Sequence, residues 1–275
     1  MVKRRSPAGR TKGGLASETP EAVFIVGAGY SGSTLLSMVL GGHPRLCAVG
    51  ELRELDAFVS RDSLCGCGAR SSRCAFWNGV RARLPQPDFA LHAGGSRDEF
   101  LSRGTTLLRA VRAEAGERTV IDASKWPAWA EGQKARGVRA VVLHLVRHPD
   151  GVVWSHVRRG ADLSEACRLW VNRNTEARRL ATEAPGPSLT VRYEDFAAAP
   201  EATVASICAA LGLEAAPGML DFRARAHHLI SGNPMRFSGS SRIEADESWK
   251  ERLPPSAQAA VAAATAPLAE TFGYR

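Results

Sequence analysis

The chain has 275 residues with 44% hydrophobic and 23% charged side chains, the composition of a globular protein long enough to bury a sizeable core. Its formal net charge of +8 and pI near 9.6 point to an anionic partner, and nucleotides, acidic lipids and nucleic acid all satisfy that condition. Six cysteines are too few for a disulfide scaffold and no apolar run reaches transmembrane length, so a cytoplasmic protein without a membrane span is expected. Residues 1–20 hold Lys3, Arg4, Arg5, Arg10 and Lys12 among Gly, Ser and Pro, and read as a disordered basic tail. Arg4-Arg5 is not followed by the apolar stretch an export signal needs.

Val23–Val26 predicts a buried strand, which runs into a loop with Gly27, Gly29, Ser31, Gly32, Ser33 and Thr34. Leu35, Leu36, Val39 and Leu40 then recur at helical spacing. Strand, glycine-rich turn and helix start make an anion cradle, because unpaired N–H groups at the helix N-terminus face the ligand. After a short connection, residues 51–62 predict a helix with Leu52, Leu55 and Val59 on one face. A polar cysteine loop follows, then Phe76-Trp77, a Pro/Gly/His-rich loop over 85–95 and a helix over 97–115. A short, weak strand over 119–121 ends at Asp122, and residues 126–136 predict a helix. A strong strand over 139–146 stops at Arg147-His148-Pro149. Helices are expected over 150–159 and 163–181, a strand over 189–193, a helix from Pro200 through Leu211, a loop over 227–241 and a last helix from Pro254-Pro255 to about Glu270. Strands alternating with helices predict a parallel sheet covered on both faces, with ligands gathered at its carboxyl edge.

Gly27-x-x-x-x-Gly32-Ser33-Thr34 has Walker spacing, but Ser33 stands where a lysine reaches the β- and γ-phosphates of a nucleoside triphosphate. NTP hydrolysis is therefore disfavoured, and a nucleotide with one phosphate-sized anion at its 5′ end fits better. Two other readings stay open: a metabolite kinase with a degenerate loop, and a non-catalytic nucleotide- or anion-binding module. The chain lacks the interleaved aromatic and basic pattern of a single-strand binder, so nucleic acid is not expected. Cys65, Cys67 and Cys74 follow C-x-C-x₆-C spacing with no fourth ligand near in sequence. A plain thiol loop is therefore expected ahead of a local disulfide or a metal site.

Tyr30-Ser31-Gly32-Ser33-Thr34-Leu35-Leu36, Gly50-Glu51, Asp122-Ala123-Ser124-Lys125, Leu145–Pro149 with Ser155, and Arg192–Phe196 occur in this order. Together they resemble the sulfotransferases that use 3′-phosphoadenosine 5′-phosphosulfate (PAPS), in a bacterial branch related to carbohydrate and tyrosylprotein sulfotransferases. Cys65-x-Cys67-Gly68 with Cys74-x-Phe76-Trp77, and Gly232–Phe237, are similar to the same branch. The match spans residues 22–272. It implies an α/β, P-loop NTPase-like three-layer fold with a central parallel sheet flanked by helices: one domain over 21–275 with an acceptor-side insertion around 61–118.

The resemblance also implies roles. Gly29, Tyr30, Ser31, Gly32, Ser33, Thr34 and Leu35 would hold the 5′-phosphosulfate, and Arg147 and Ser155 the 3′-phosphate. Arg159 joins them by its i, i+4 spacing from Ser155, and Tyr193 is expected at adenosine or phosphate. Many relatives carry a lysine or arginine at the position of Tyr30. With that charge missing, the main electrophilic role falls to Lys125, with Arg53 or Arg236 as helpers. Glu51 is the candidate base that takes the acceptor's proton. Transfer would need no metal. The acceptor would be a hydroxyl or amine of a small molecule, glycan or lipid-linked metabolite, in a pocket lined from residues 61–118 and 163–180, with Trp77 and Trp170 contributing.

Overall fold

The computed structural model describes residues 19–86, 89–92 and 95–274. The expected basic tail falls almost wholly outside the described residues, as does part of the 85–95 loop. Five parallel strands form one sheet in the order β2-β3-β1-β4-β5. They are β1 (Ala22–Val26), β2 (Leu46–Gly50), β3 (Thr119–Lys125), β4 (Ala140–Val146) and β5 (Ser188–Arg192). The helices are α1 (Ser33–Gly41), α2 (Leu55–Ser60), α3 (Ala75–Ala82), α4 (Arg97–Glu114), α5 (Pro127–Ala135) and α6 (Pro149–Val157). They continue with α7 (Leu163–Glu183), α8 (Tyr193–Ala198), α9 (Pro200–Ala210), α10 (Trp249–Arg252) and α11 (Pro255–Thr271).

Alternation along the strands builds two cores, one on each face of the sheet. Phe24, Val26, Val49, Val120 and Val142 point to the side packed by α3, α4 and α5. Val23, Ile25, Ile121, Val141, Leu143 and Val191 point to the side packed by α1 and α9. Both faces are covered, so the strands read as continuous apolar runs. Local chemistry sets several helix starts. Ser96 and Glu99 make a reciprocal capping box at α4, and Asp162 caps α7 by accepting from Ser164 and Glu165 N–H groups. Proline opens α5, α6, α9 and α11, where its missing N–H costs nothing.

Several elements differ from the sequence expectation, among them α8, which takes Tyr193 out of the expected strand, and α10, which that expectation lacks. The connection before Glu51 contains β2, an edge strand that β3 pairs from Leu46 to Gly50. The cysteine loop leads into α3, which Phe76, Trp77 and Val80 bury against the core. Strand β3 is neither short nor weak: pairing with β1 on one side and β2 on the other carries it past Asp122 to Lys125.

Asp122 is buried, and its carboxylate collects four donors. Oδ1 accepts from Leu52 N at 3.2 Å, Ser124 N at 2.9 Å and Ser124 Oγ at 2.5 Å, while Oδ2 accepts from the Trp129 indole at 2.7 Å. Replacing it by asparagine turns an NH₂ toward one of these donors. Asp122→Asn is therefore expected to lower stability by about 1–3 kcal/mol, read from urea unfolding, although the two side chains are nearly isosteric.

Candidate active site

At the carboxyl edge of the sheet, the loops after β1, β2, β3 and β4 open into one cleft of about 710 Å³. Strand β1 lies between β3 and β4, so the glycine-rich loop sits where the chain crosses from one half of the sheet to the other, the usual ligand position in such sheets. The first backbone bond of α1 runs from Leu36 N to Gly32 O, which leaves the N–H groups of its first turn available to an anion. Gly32 has φ 89°, and a Cβ there would stand 2.6 Å from the Tyr193 ring, so only glycine lets Tyr193 pack beneath the loop.

Most of the residues singled out from sequence line this cleft: Gly29, Tyr30, Gly32, Ser33, Thr34, Leu35, Glu51, Lys125, Arg147, Ser155, Arg159 and Tyr193. Two do not. Ser31 is buried, with a hydroxyl that has no hydrogen-bond partner. Arg236 turns back on its own segment, donating to Gly232 O at 2.6 Å with its guanidinium over Phe237, so it helps neither the loop nor Lys125 directly. Arg53 does reach the lining, its Nε 3.1 Å from Glu54 and 3.9 Å from Glu51.

Glu51 and Lys125 meet. Lys125 Nζ lies 2.5 Å from Glu51 Oε1, with side chains only 15% and 12% exposed, so water screens the pair little. Asp122 holds both from behind, through Leu52 N after Glu51 and through Ser124 before Lys125. Lys125 (φ 57°) and Tyr30 (φ 61°) are both non-glycine residues in the left-handed region, a strained backbone that places each side chain toward the cleft.

Positive charge comes from β4 and the helix after it. Arg147 is buried; its Nη1 donates to Tyr30 O at 3.0 Å and its guanidinium covers the Tyr193 ring at 4.7 Å. Trp170 on α7 fixes the same loop by donating to Arg147 O at 3.0 Å. Ser155 is buried one turn from Gly151, to whose carbonyl it donates. Arg159 donates to Ser155 O at 2.7 Å and lies over the Tyr30 ring at 4.5 Å. The charge missing from position 30 is thus delivered on top of its tyrosine by the α6 end. His156 packs edge-on to Tyr30, and burial, with Arg159 nearby, lowers its pKa, so it adds no charge at neutral pH.

One wall extends past the Gly232–Phe237 segment that the sequence singles out, to residues it does not. Ser231–Met235 and Arg242, Glu244 and Asp246 close the cleft opposite the loop. Asn233 N donates to Thr34 Oγ1 at 3.0 Å. Tyr193 Oη donates to Glu244 O and accepts from Asp246 N. Asp246 faces Arg147, with Oδ2 3.3 Å from Nη2. Burial opposes its charge, but hydrogen bonding from Ser248 and the Arg147 guanidinium hold its pKa below the usual carboxylate range. A polar acidic stretch in a basic chain carries no local mark of such a role. Conversely, none of the described residues of 61–118 or 163–180 lines the cleft, and Trp77 and Trp170 are fully buried. Their indoles serve the core and one backbone carbonyl each.

The loop, the paired Glu51 and Lys125, and the arginines around them line one cleft rich in positive charge. The model of the sulfotransferase family matches residues 20–217, most of the chain, and the protein belongs to that family. A Caenorhabditis briggsae protein named among the protein-tyrosine sulfotransferases is 23% identical over 242 residues, covering 82% of this chain and 78% of its own. The sulfotransferase domain of the Synechococcus PCC 7002 olefin synthase superposes with a TM-score of 0.67 at 25% identity, covering 95% of this chain and 98% of that one. The sulfotransferase domain from the curacin biosynthetic pathway shares the fold, with a TM-score of 0.57 at 19% identity over 94% of this chain and 99% of its own.

Removing the guanidinium of Arg147 deletes a charge-assisted donor from the cleft. Arg147→Ala is expected to weaken binding of adenosine 3′,5′-bisphosphate by about 10–100-fold, measured by calorimetry.

Proposed function

We propose that this sulfotransferase moves a sulfonate group from PAPS to a hydroxyl or amine of a small-molecule, glycan or lipid-linked acceptor. The observation that carries this reading is the 2.5 Å Glu51–Lys125 pair at the mouth of the anion loop. Sulfuryl transfer needs a base for the acceptor proton and positive charge where the sulfonate leaves its phosphate. The pair supplies both within one contact.

In this reading the α1 N-terminus with Ser33 and Thr34 binds the 5′-phosphosulfate, and Arg147, Ser155 and Arg159 take the 3′-phosphate. Arg159 also stands close enough to Tyr30 to offset the missing basic residue. As the acceptor oxygen or nitrogen attacks sulfur in line, Glu51 accepts its proton and the S–O bond to the 5′-phosphate breaks. Lys125 stabilises charge on the sulfonate and departing phosphate, and adenosine 3′,5′-bisphosphate is released. Ser33 in place of the Walker lysine supports this donor over ATP. Residues 21–275 form the transferase domain, with 61–118 as an insertion. Among the described residues no helix is long and apolar enough to cross a membrane.

Glu51→Gln keeps the shape of the pair but removes the base. Turnover, followed as bisphosphate release in the presence of an accepted acceptor, should fall by about 10²–10⁴-fold. Affinity for adenosine 3′,5′-bisphosphate should not fall by more than about threefold, since a base contributes to the transition state and releasing Lys125 from its carboxylate does not disfavour an anion. Undiminished turnover would remove Glu51 from the mechanism, and tighter binding of Mg-ATP than of the bisphosphate would replace the donor.

A further inference from the structure

Away from the cleft, four ligating side chains converge. Cys65, Cys67 and Cys74 come from the loop before α3, and His228 from the segment that runs past β2 toward the cleft wall. Their ligand atoms all lie within 4.8 Å of one another. Cys74 Sγ is 3.7 Å from both Cys65 Sγ and Cys67 Sγ. His228 Nδ1 is 3.4 Å from Cys74 Sγ and 3.9 Å from Cys65 Sγ. A tetrahedral zinc with sulfur at about 2.3 Å and nitrogen at about 2.0 Å sets its ligands about 3.8 Å (S to S) and about 3.5 Å (S to N) apart. Four of the six ligand pairs stand within about 0.4 Å of those separations, and the other two lie within 4.8 Å. All three cysteines are free thiols.

The surroundings hold this arrangement in place. The loop turns back on itself, with Cys65 N donating to Ala69 O and Gly68 N to Cys65 O. Gly66 N donates to Leu229 O at 2.9 Å, and a Cβ on Gly66 would come within 2.7 Å of His227 O, so the two segments touch backbone to backbone. The His228 ring lies flat on Phe76 at 4.6 Å, which orients Nδ1 toward the sulfurs. The Trp77 indole donates to His228 O at 3.0 Å. Sequence spacing alone supplies three ligands; the fold brings the fourth from 154 residues beyond Cys74.

We propose that Cys65, Cys67, Cys74 and His228 bind one zinc ion, with the cysteines as thiolates and the histidine through Nδ1. Binding forms three Zn–S bonds and one Zn–N bond and releases up to three thiol protons to solvent, with no change of oxidation state. Four protein ligands leave no open position, so the ion is structural and takes no part in group transfer. Its effect is mechanical. His228 is followed by Ile230, whose N–H donates to Val49 O, and by Asn233, which donates to Thr34 of the anion loop. The ion would fasten the root of the cleft wall to the cysteine loop.

The test needs no assay of catalysis, so it stands or falls separately from the proposed reaction. Full-length protein purified without a metal-affinity tag should carry about one equivalent of zinc per chain by inductively coupled plasma mass spectrometry. Cobalt(II) exchanged into the site should give thiolate charge-transfer and intense visible bands of a tetrahedral centre. Cys67→Ser, at the least buried of the three sulfurs, should retain at least about tenfold less zinc, and His228→Cys should retain it. Wild-type protein with less than about a tenth of an equivalent after zinc supplementation would overturn the site. So would a Cys67–Cys74 disulfide found by non-reducing peptide mapping.

Discussion

The pairing of Glu51 with Lys125 leans on one buried carboxylate. Asp122 sits in mid-strand with four donors around it, one from the segment after β2, two from its own strand and one from α5. A buried carboxylate is tolerated only when its lone pairs are satisfied. Satisfying them fixes the distance between the ends of β2 and β3, and so the distance between Glu51 and Lys125. The pair is therefore set by the scaffold before any ligand arrives, which is the condition for electrostatic assistance without reorganisation.

What could be read from the chain alone followed from how local each signal is. The strand, loop and first helix occupy about twenty consecutive residues, and each names the next. The stop at Arg147-His148-Pro149 marks a strand end by itself, because Pro149 cannot continue the ladder. Glu51 and Lys125 could be named individually, but their contact depends on β2, whose five residues gain strand character only by pairing with β3. Strand β3 was legible only to Asp122 for a similar reason: Ser124 and Lys125 have little strand preference, and neighbours on both sides carry the backbone onward. The acidic wall around Asp246 was hidden because exposed-looking polar residues give no sign of which loop they will face. Helix α7 erred the other way. Its tryptophan suggested a ligand pocket, yet Trp170 is buried behind the Arg147 loop and shapes the cleft from outside it.

Tyr30 shows how charge can be moved between elements without leaving a site. The loop lacks a basic side chain, but Arg159 stacks on the tyrosine ring, and cation and ring attract one another in such contacts. Position 30 thereby holds a cation it does not encode. His156, kept neutral by burial, fills the other edge of the ring without competing for the same anion.

The contact between Arg147 and Asp246 has a thermodynamic consequence. The guanidinium that would face an incoming phosphate is already engaged by the Asp246 carboxylate, tethered to the same chain, and by that residue's backbone carbonyl. Entry of an anion is then an exchange of partners, and the measured affinity is the difference between two anions' claims on one cation. A tethered competitor is always present at high effective concentration. A monoanion of similar basicity gains little by replacing it, whereas a dianion brings a second charge the carboxylate cannot match. The cleft would thus filter ligands by valence before it reads their shape.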